Sequence, residues 1–125
     1  FEEMRLGAFL QKVATMQPTV LPAATVLEMA TAGGARAIGL GLDLGTIRVG
    51  AKADVIQLDL SDLHFAPLYD VVSHLAYVAD EQDVVNVVVA GRVLMRDREL
   101  LTLDVERIKR EAQALAERIA SALNP

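Results

Sequence analysis

Residues 30–60 read ATAGGARAIGLGLDLGTIRVGAKADVIQLDL, and this stretch decides how the chain is organised. It begins with helix-forming residues and then carries six glycines, which permit close backbone approach or a positive φ. Residues 46–49 alternate polar and apolar side chains, and residues 53–60 form a stronger strand pattern. The stretch therefore predicts a helix that leads, through a glycine-rich connection, into a small sheet.

The composition limits the classes of protein to consider. Apolar residues make up 53% of the 125 residues, which exceeds the roughly 45–50% of typical domains, so we expect apolar surface meant for a partner or for further chain. A net charge of −5 argues against nucleic-acid binding and against a polybasic membrane surface. The chain has no cysteine and no apolar run of about 18 residues, so we expect a cytoplasmic protein without disulfides or a membrane span.

Periodicity predicts the remaining elements. The last helix is expected to begin after an Asp104 cap and to pack back over the sheet through an apolar stripe. We predict a two-residue hairpin turn at Gly91-Arg92, a second turn with an extended tail at residues 97–101, and about four short strands in all. The predicted helices span 1–15, 23–32, 35–38, 68–78 and 103–123, and the predicted strands span 46–49, 53–60, 84–90 and 93–96.

The beginning of the chain suggests a larger gene product. Phe1 does not cap a helix, the helical pattern is already periodic there, and no initiator methionine precedes it. We therefore expect the true start of this helix to lie upstream.

One arginine and one pair of charged residues are candidates for chemistry in the glycine-rich stretch. Arg36 is the only charge in a region of small residues, and it is either a solvated or carbonyl-capping side chain or a contact for an anionic substrate. Lys52 and Asp54 flank a predicted turn, where Asp54 is either a catalytic acid or an acceptor for nearby amides at the strand entrance. The structural interpretation is favoured for both.

Asp70 and His74 lie at i and i+4, so both can point the same way from a helix. A metal site would need further ligands, and His64 is the only other histidine in the sequence. The sequence lacks the HxH and HExxH patterns, a phosphate-binding loop and a nucleophile elbow. We therefore favour structural roles for both histidines, and we expect no catalytic, cofactor-binding or metal-ligating residue in the chain.

Four segments, taken in order, resemble a known family. They are MATAGGARAIGL (29–40), GTIRVGAKADVIQLDL (45–60), HFAPLYDVVSHLAY (64–77) and VVNVVVAGRVLMRDREL (84–100). Together they resemble the C-terminal part of the amidohydrolase superfamily, in the branch of 5-methylthioadenosine/S-adenosylhomocysteine deaminases and TRZ/ATZ chlorohydrolases. The GxxxxGxxADxxxxD pattern from Gly45 to Asp59 is typical of the superfamily, and residues 67–77 are more particular to the deaminases.

The resemblance implies an α/β fragment as the fold class. Residues 1–41 would be the last helices of a (β/α)8 barrel, and residues 42–103 would supply strands of the flanking small β-sandwich, with a short helix at 68–78. Residues 104–125 would form a terminal packing helix. A complete barrel takes about 250 residues, so 125 residues cannot contain one.

The resemblance also implies a function. Intact enzymes of this branch use zinc to activate the water that deaminates or dechlorinates a purine-nucleoside-like or triazine-like ring, acting on non-peptide C–N bonds. The metal ligands would lie upstream of Phe1, so the chain alone is expected to be inactive and to bind no zinc. Its expected partners are the missing barrel part or another copy in a homo-oligomer. The alternative is a freestanding small α+β binding or assembly module.

Overall fold

The computed structural model describes residues 1–41 and 43–123, so the predicted segment boundary at residue 42 and the last two residues of segment 104–125 lie outside the described residues. The first part is helical and the second part is built around a sheet. The helices are α1 (Glu2–Thr15), α2 (Ala23–Glu28), a π-helical turn (Met29–Gly33), α3 (Gly34–Ala37), α4 (Val71–Tyr77) and α5 (Val105–Leu123). The strands are β1 (Val55–Leu58), β2 (Val84–Val89), β3 (Arg92–Arg96) and β4 (Glu99–Leu100).

The four strands form one antiparallel sheet in the order β1-β2-β3-β4. Two-residue turns close both hairpins, and the turn residues have positive φ, as strand twist requires of such tight turns. The first of these turns is Ala90-Gly91, since Val89 pairs with Arg92. The prediction of a turn at Gly91-Arg92 is therefore wrong by one residue, because Ala90 adopts the left-handed conformation that its side chain disfavours.

The predicted strand at residues 46–49 is wrong. The described residues of this segment belong to no strand, and the side chains of Ile47 and Val49 are 93% and 102% exposed. Alternation gives a segment two faces, but a strand also needs a neighbour that accepts its hydrogen bonds. The fourth strand of the sheet is instead Glu99–Leu100, in the segment predicted to be an extended tail.

The buried core lies in the helical layer. Its buried apolar residues are mostly alanines, which allow helices to approach closely, together with the fully buried ring of one phenylalanine. Strand β2 contributes none of them, and its Val87 is only half-buried between Ile56 and Met95. The core residues are Ala8, Val26, Ala35, Phe65, Ala76 and Ala79.

Two cations of α1 tie this helix to the rest of the layer. The Nη2 atom of Arg5 donates to the carbonyl oxygens of Val78 and Ala79, at 3.1 and 2.8 Å, where α4 ends. The Nζ atom of Lys12 donates to the carbonyl oxygens of Val20 and Leu21, at 2.6 and 2.9 Å. Both cations therefore satisfy carbonyl groups that a helix end or a loop leaves without partners.

The glycine-rich connection lies directly on the π-helical turn. Gly45 has φ +86°, and a Cβ atom there would stand 2.7 Å from Cα of Ala32 and 2.8 Å from the carbonyl oxygen of Thr31. Gly50 has a similar φ of +87°, but no atom lies within 4 Å of its Cβ position. The prediction that this stretch needs close backbone approach is confirmed at Gly45.

We expect Gly45→Ala to destabilise the protein more than Gly50→Ala, which serves as the matched control. Both substitutions carry a left-handed backbone cost of about 1–2 kcal/mol, and only Gly45→Ala adds overpacking worth about 1–3 kcal/mol. Urea unfolding followed by circular dichroism measures the difference. Equal free energies of unfolding for the two variants would show that the connection does not lie against the helix.

Helix α5 forms where predicted but does not pack as predicted. The Oδ1 atom of Asp104 accepts a hydrogen bond from the amide of Arg107 at 2.9 Å, which confirms the predicted cap. None of its described residues is buried, and Ile108, Leu115 and Ile119 are 44–52% exposed. The expectation that this helix packs back over the sheet is therefore wrong, because its apolar stripe meets no complementary surface among the described residues.

Candidate functional site

Arg36 is part of an exposed ion pair. Its Nη2 atom lies 3.0 Å from Oε1 of Glu28, and both side chains are largely exposed. The stem of Arg36 lies beside Gly41, where any Cβ atom would collide with it. These contacts favour the structural interpretation over an anionic substrate contact, since a carboxylate already balances the charge.

Lys52 and Asp54 have separate partners. The Nζ atom of Lys52 lies 2.9 Å from Oδ2 of Asp43. The Oδ1 atom of Asp54 accepts a hydrogen bond from the backbone amide of Ala90 at 2.6 Å. The prediction that Asp54 accepts an amide hydrogen bond at a strand entrance is confirmed, and the amide belongs to the turn between β2 and β3.

Asp70 and His74 meet through the backbone. Asp70 caps α4, and its Oδ1 atom accepts a hydrogen bond from the amide of Ser73 at 2.7 Å. The Nδ1 atom of His74 lies 2.8 Å from the carbonyl oxygen of Asp70, to which it donates. The two side chains therefore serve the start of the helix and do not present paired ligand atoms to one metal.

His64 has a buried acidic partner that the sequence analysis missed. Its Nε2 atom lies 3.1 Å from Oδ1 of Asp83, a residue that is only 4% exposed. The Oδ2 atom of Asp83 also accepts a hydrogen bond from the amide of Asp80 at 2.8 Å. The signal in the sequence is the Asp80–Asp83 spacing, which is that of a capping box.

These arrangements do not fit a resident zinc ion. Within residues 1–41 and 43–123, no group of three or more histidine, aspartate or glutamate side chains is placed to hold a metal. The rings of His64 and His74 both lie near the buried Phe65 ring, with centroids 4.2 and 6.3 Å from its centroid. A site formed by both histidines and Asp70 is therefore not supported.

The pKa of the Asp70 carboxyl lies below its ordinary value, chiefly because the Ser73 side chain and then the Ser73 amide donate to the charged form. The ionised Asp70 cap therefore adds to the free energy of unfolding. This contribution is fully present above the unfolded-state pKa and is lost as the pH falls through the lower folded-state pKa. We expect wild-type protein to be more stable than Asp70→Asn at neutral pH, with the difference shrinking below about pH 4.

Urea unfolding at several pH values tests this dependence. Ser73→Ala removes the side-chain donor and should reduce the pH-dependent part of the free energy of unfolding. Glu81→Gln, on an exposed turn, should leave that part unchanged. A difference between wild type and Asp70→Asn that stays constant at all pH values would contradict the assignment.

We expect Asp83→Ala to lower the free energy of unfolding by about 2–3 kcal/mol, because it leaves the partly buried amide of Asp80 and the imidazole N–H of His64 without an acceptor. Glu81→Ala, on the exposed side of the same turn, should change it by no more than about 0.5 kcal/mol. Thermal and urea unfolding measure both effects. Equal stability of the two variants would show that the hydrogen bonds accepted by Asp83 do not stabilise the fold.

The most prominent surface feature is uncovered apolar area. The accessible surface is 9295 Å², whereas a compact monomer of 13.5 kDa exposes about 6,500 Å². The exposed large apolar residues are concentrated on α1, on α5 and in the connection between helices and sheet. They include Leu6, Phe9, Leu10, Val13, Ile47, Val49, Ile108, Leu115 and Ile119. Across the described part of the chain, no helix combines the length and apolarity that a membrane crossing needs.

Comparison with known proteins identifies the class. A model of the amidohydrolase family matches residues 1–94, which is most of the chain. The chain belongs to the amidohydrolase family, and the resemblance predicted from its sequence segments is confirmed.

Particular relatives narrow this class. The chain is 48% identical over 122 residues to the 5-methylthioadenosine/S-adenosylhomocysteine deaminase of Desulforudis audaxviator, covering 98% of this chain and 28% of the relative. It is 45% identical over 124 residues to the 5′-deoxyadenosine deaminase of Methanosarcina barkeri, covering 99% of this chain and 28% of that protein. The chain therefore spans little more than a quarter of the length of these relatives.

Solved structures show the same fold over the same fraction. A zinc-bound adenosine deaminase from Xanthomonas campestris matches with a TM-score of 0.91 at 40% identity, over 96% of this chain and 27% of that one. An atrazine chlorohydrolase from Arthrobacter aurescens, complexed with zinc, matches with a TM-score of 0.79 at 30% identity, over 90% and 25%. The mixed α/β architecture, with its four-stranded antiparallel sheet, thus corresponds to about a quarter of these proteins.

Proposed function

We propose that this chain is the C-terminal part of a zinc-dependent amidohydrolase that hydrolytically deaminates a purine-nucleoside-like ring. Dechlorination of a triazine-like ring is the related possibility. The observation that carries the proposal is the 48% identity to a deaminase along nearly the whole chain, combined with coverage of only 28% of that enzyme. Identity at this level across every element supports a shared architecture and a related substrate class.

In this proposal the chain supports the reaction without supplying its chemistry. Helices α1 to α3 are the last helices of the barrel, and the sheet belongs to the flanking β-sandwich. The described residues do not fit a zinc site, so the metal ligands are assigned to the remainder of the protein. The apolar surface on α1 and the exposed Ile47 and Val49 are the surfaces on which that remainder would lie.

A freestanding binding or assembly module is the second candidate. The same uncovered apolar surface favours it, because a module that pairs with another subunit also needs such faces. The two functions differ in what the chain does when it is joined to the rest of a deaminase. Only the first requires that it restore an active enzyme.

A chimera separates them. We would replace the matching segment of the Desulforudis audaxviator deaminase with residues 1–125 and measure ammonia release from 5-methylthioadenosine. The expected result is a folded, active chimera with activity within about tenfold of the parent, which corresponds to a rise of no more than about 1.4 kcal/mol in the activation free energy.

Two controls complete this experiment. The parent enzyme with the segment deleted should be inactive, and the isolated 125-residue chain supplied with zinc should release no ammonia. Ammonia release by the isolated chain would place the chemistry inside it and overturn the proposal. A folded chimera without activity, beside an active parent, would favour the module.

A further inference from the structure

The chain crosses from β1 to the helical layer and returns to β2 through residues 59–83, the crossover segment. This segment holds six acidic residues and neither lysine nor arginine, whereas acidic and basic residues nearly balance in the rest of the chain. Its two histidines are therefore the only groups of its own that can carry positive charge. The acidic residues are Asp59, Asp62, Asp70, Asp80, Glu81 and Asp83.

The five aspartates of the crossover segment all accept hydrogen bonds from backbone amides. These bonds close the turn after β1 and begin three helical elements, which are α4 and the 3-10 turns Leu63–Phe65 and Glu81–Asp83. An ionised carboxylate is a stronger acceptor than a protonated one, so the conformation of the segment depends on charge. In the order of the aspartates, the amides belong to Ser61, Leu63, Ser73, Gln82 and Asp80, at 2.6–3.0 Å.

The other helices rely less on such carboxylates. Among the described residues, no side chain caps the first turn of α1, α2 or α3. Helix α5 is capped by Asp104, but none of its described residues is buried. Loss of carboxylate charge therefore weakens the crossover segment and leaves the starts of the three preceding helices intact.

The crossover segment also supplies half of the buried apolar core. Phe65, Ala76 and Ala79 are buried there, and the buried carboxylate of Asp83 lies beside His64. Strands β2 and β3 are held differently, by backbone pairing with each other and with their neighbours. Acid therefore acts on the segment through contacts that the sheet does not use.

We propose that the crossover segment opens when acid protonates its aspartates, at a higher pH than the one at which β2 and β3 separate. Its helical elements then lose the acceptors that begin them, and the side chains of Phe65 and Ala76 become exposed. The fold thus contains a local acid-sensitive element beside a less sensitive sheet. This opening does not depend on the proposed function, because the hydrogen bonds that it breaks lie within residues 59–83.

Cations from other elements do not replace the lost acceptors. Arg5 and Lys12 of α1 and Arg98 beside β4 donate to carbonyl or hydroxyl oxygens of the segment, and acid leaves these oxygens unchanged. Repulsion among the acidic residues does decrease in acid. Most of these charges lie on exposed turns, however, where salt screens repulsion, whereas each cap acts through direct contact.

The two histidines do not hold the segment closed in acid either. The ring of His64 faces Oδ1 of Asp83 at 3.1 Å and Oδ2 of Asp62 at 4.0 Å, so its imidazolium loses both charged partners when they are protonated. The Nδ1 atom of His74 donates to the carbonyl oxygen of Asp70, a bond that exists only while α4 keeps its first turn.

The direction of the pH dependence agrees with this opening. The pKa of Asp59 lies below its ordinary value, chiefly because the Ser61 side chain and then the Ser61 amide donate to the charged form, and Ser73 lowers the pKa of Asp70 in the same way. Stability from such groups is present above the unfolded-state pKa and is lost as the pH falls through the folded-state pKa. The segment is therefore expected to open below about pH 4.

Backbone amide exchange, followed by NMR from about pH 6 to about pH 3 and divided by the intrinsic rate at each pH, tests the proposal. We expect the crossover amides to lose at least about tenfold protection before those of β2 and β3 do. Asp59→Asn, Asp62→Asn and Asp70→Asn together keep an acceptor oxygen that acid does not protonate. This cap variant should hold the crossover segment closed to a lower pH than wild type.

The matched control combines Glu3→Gln, Glu81→Gln and Glu99→Gln, which remove three exposed carboxylates that begin no helical element. It should show the wild-type pH profile. Simultaneous loss of protection in the crossover segment and the sheet would overturn the proposal, because acid would then unfold the chain as one unit. A wild-type profile in the cap variant would contradict it as well, and equal shifts in both variants would assign the effect to general charge repulsion.

Discussion

The close approach of Gly45 to the backbone of Ala32 is the point at which the glycine-rich connection lies on the helical layer. The connection that begins there is held again further along, where the amide of Lys52 donates to the carbonyl oxygen of Asp43 and Asp54 accepts from Ala90. One end of the connection is therefore fixed on a helix and the other on a hairpin. The path of the chain into β1 therefore passes through a position where a side chain would not fit.

The helical layer achieves close packing at the expense of a large core. Its buried positions are mainly alanines, while Arg5 and Lys12 hold α1 through carbonyl groups. The larger apolar side chains of α1 and α5 point to solvent instead. Alanine cores bury little area per residue, so much of the hydrophobic free energy available to this sequence is gained only when these outer faces are covered.

Local patterns in the sequence predicted most helices and the longer strands, because periodicity depends on which side chains share a face. They failed at residues 46–49, since alternation cannot say whether a hydrogen-bonding neighbour exists. They failed at Ala90, since its left-handed conformation is imposed by the register between β2 and β3. The role of Asp54 was predicted but its partner was not, and Asp83 was missed, because the partners Ala90 and His64 lie 36 and 19 residues away. The apolar stripe of α5 was visible in the sequence, whereas its exposure depends on tertiary structure.

The π-helical turn at Met29–Gly33 has a consequence for side-chain phase. In a regular α-helix, residues eight positions apart differ by about 80° around the axis, so Glu28 and Arg36 would diverge. One wide turn absorbs an extra residue and brings them to the same side, where they form their ion pair. The wide turn thus sets the phase of α3 relative to α2. A single-residue deletion here would remove the extra residue and leave a regular α-helix, in which Glu28 and the arginine, then seven steps apart, stay within about 20° of each other around the axis.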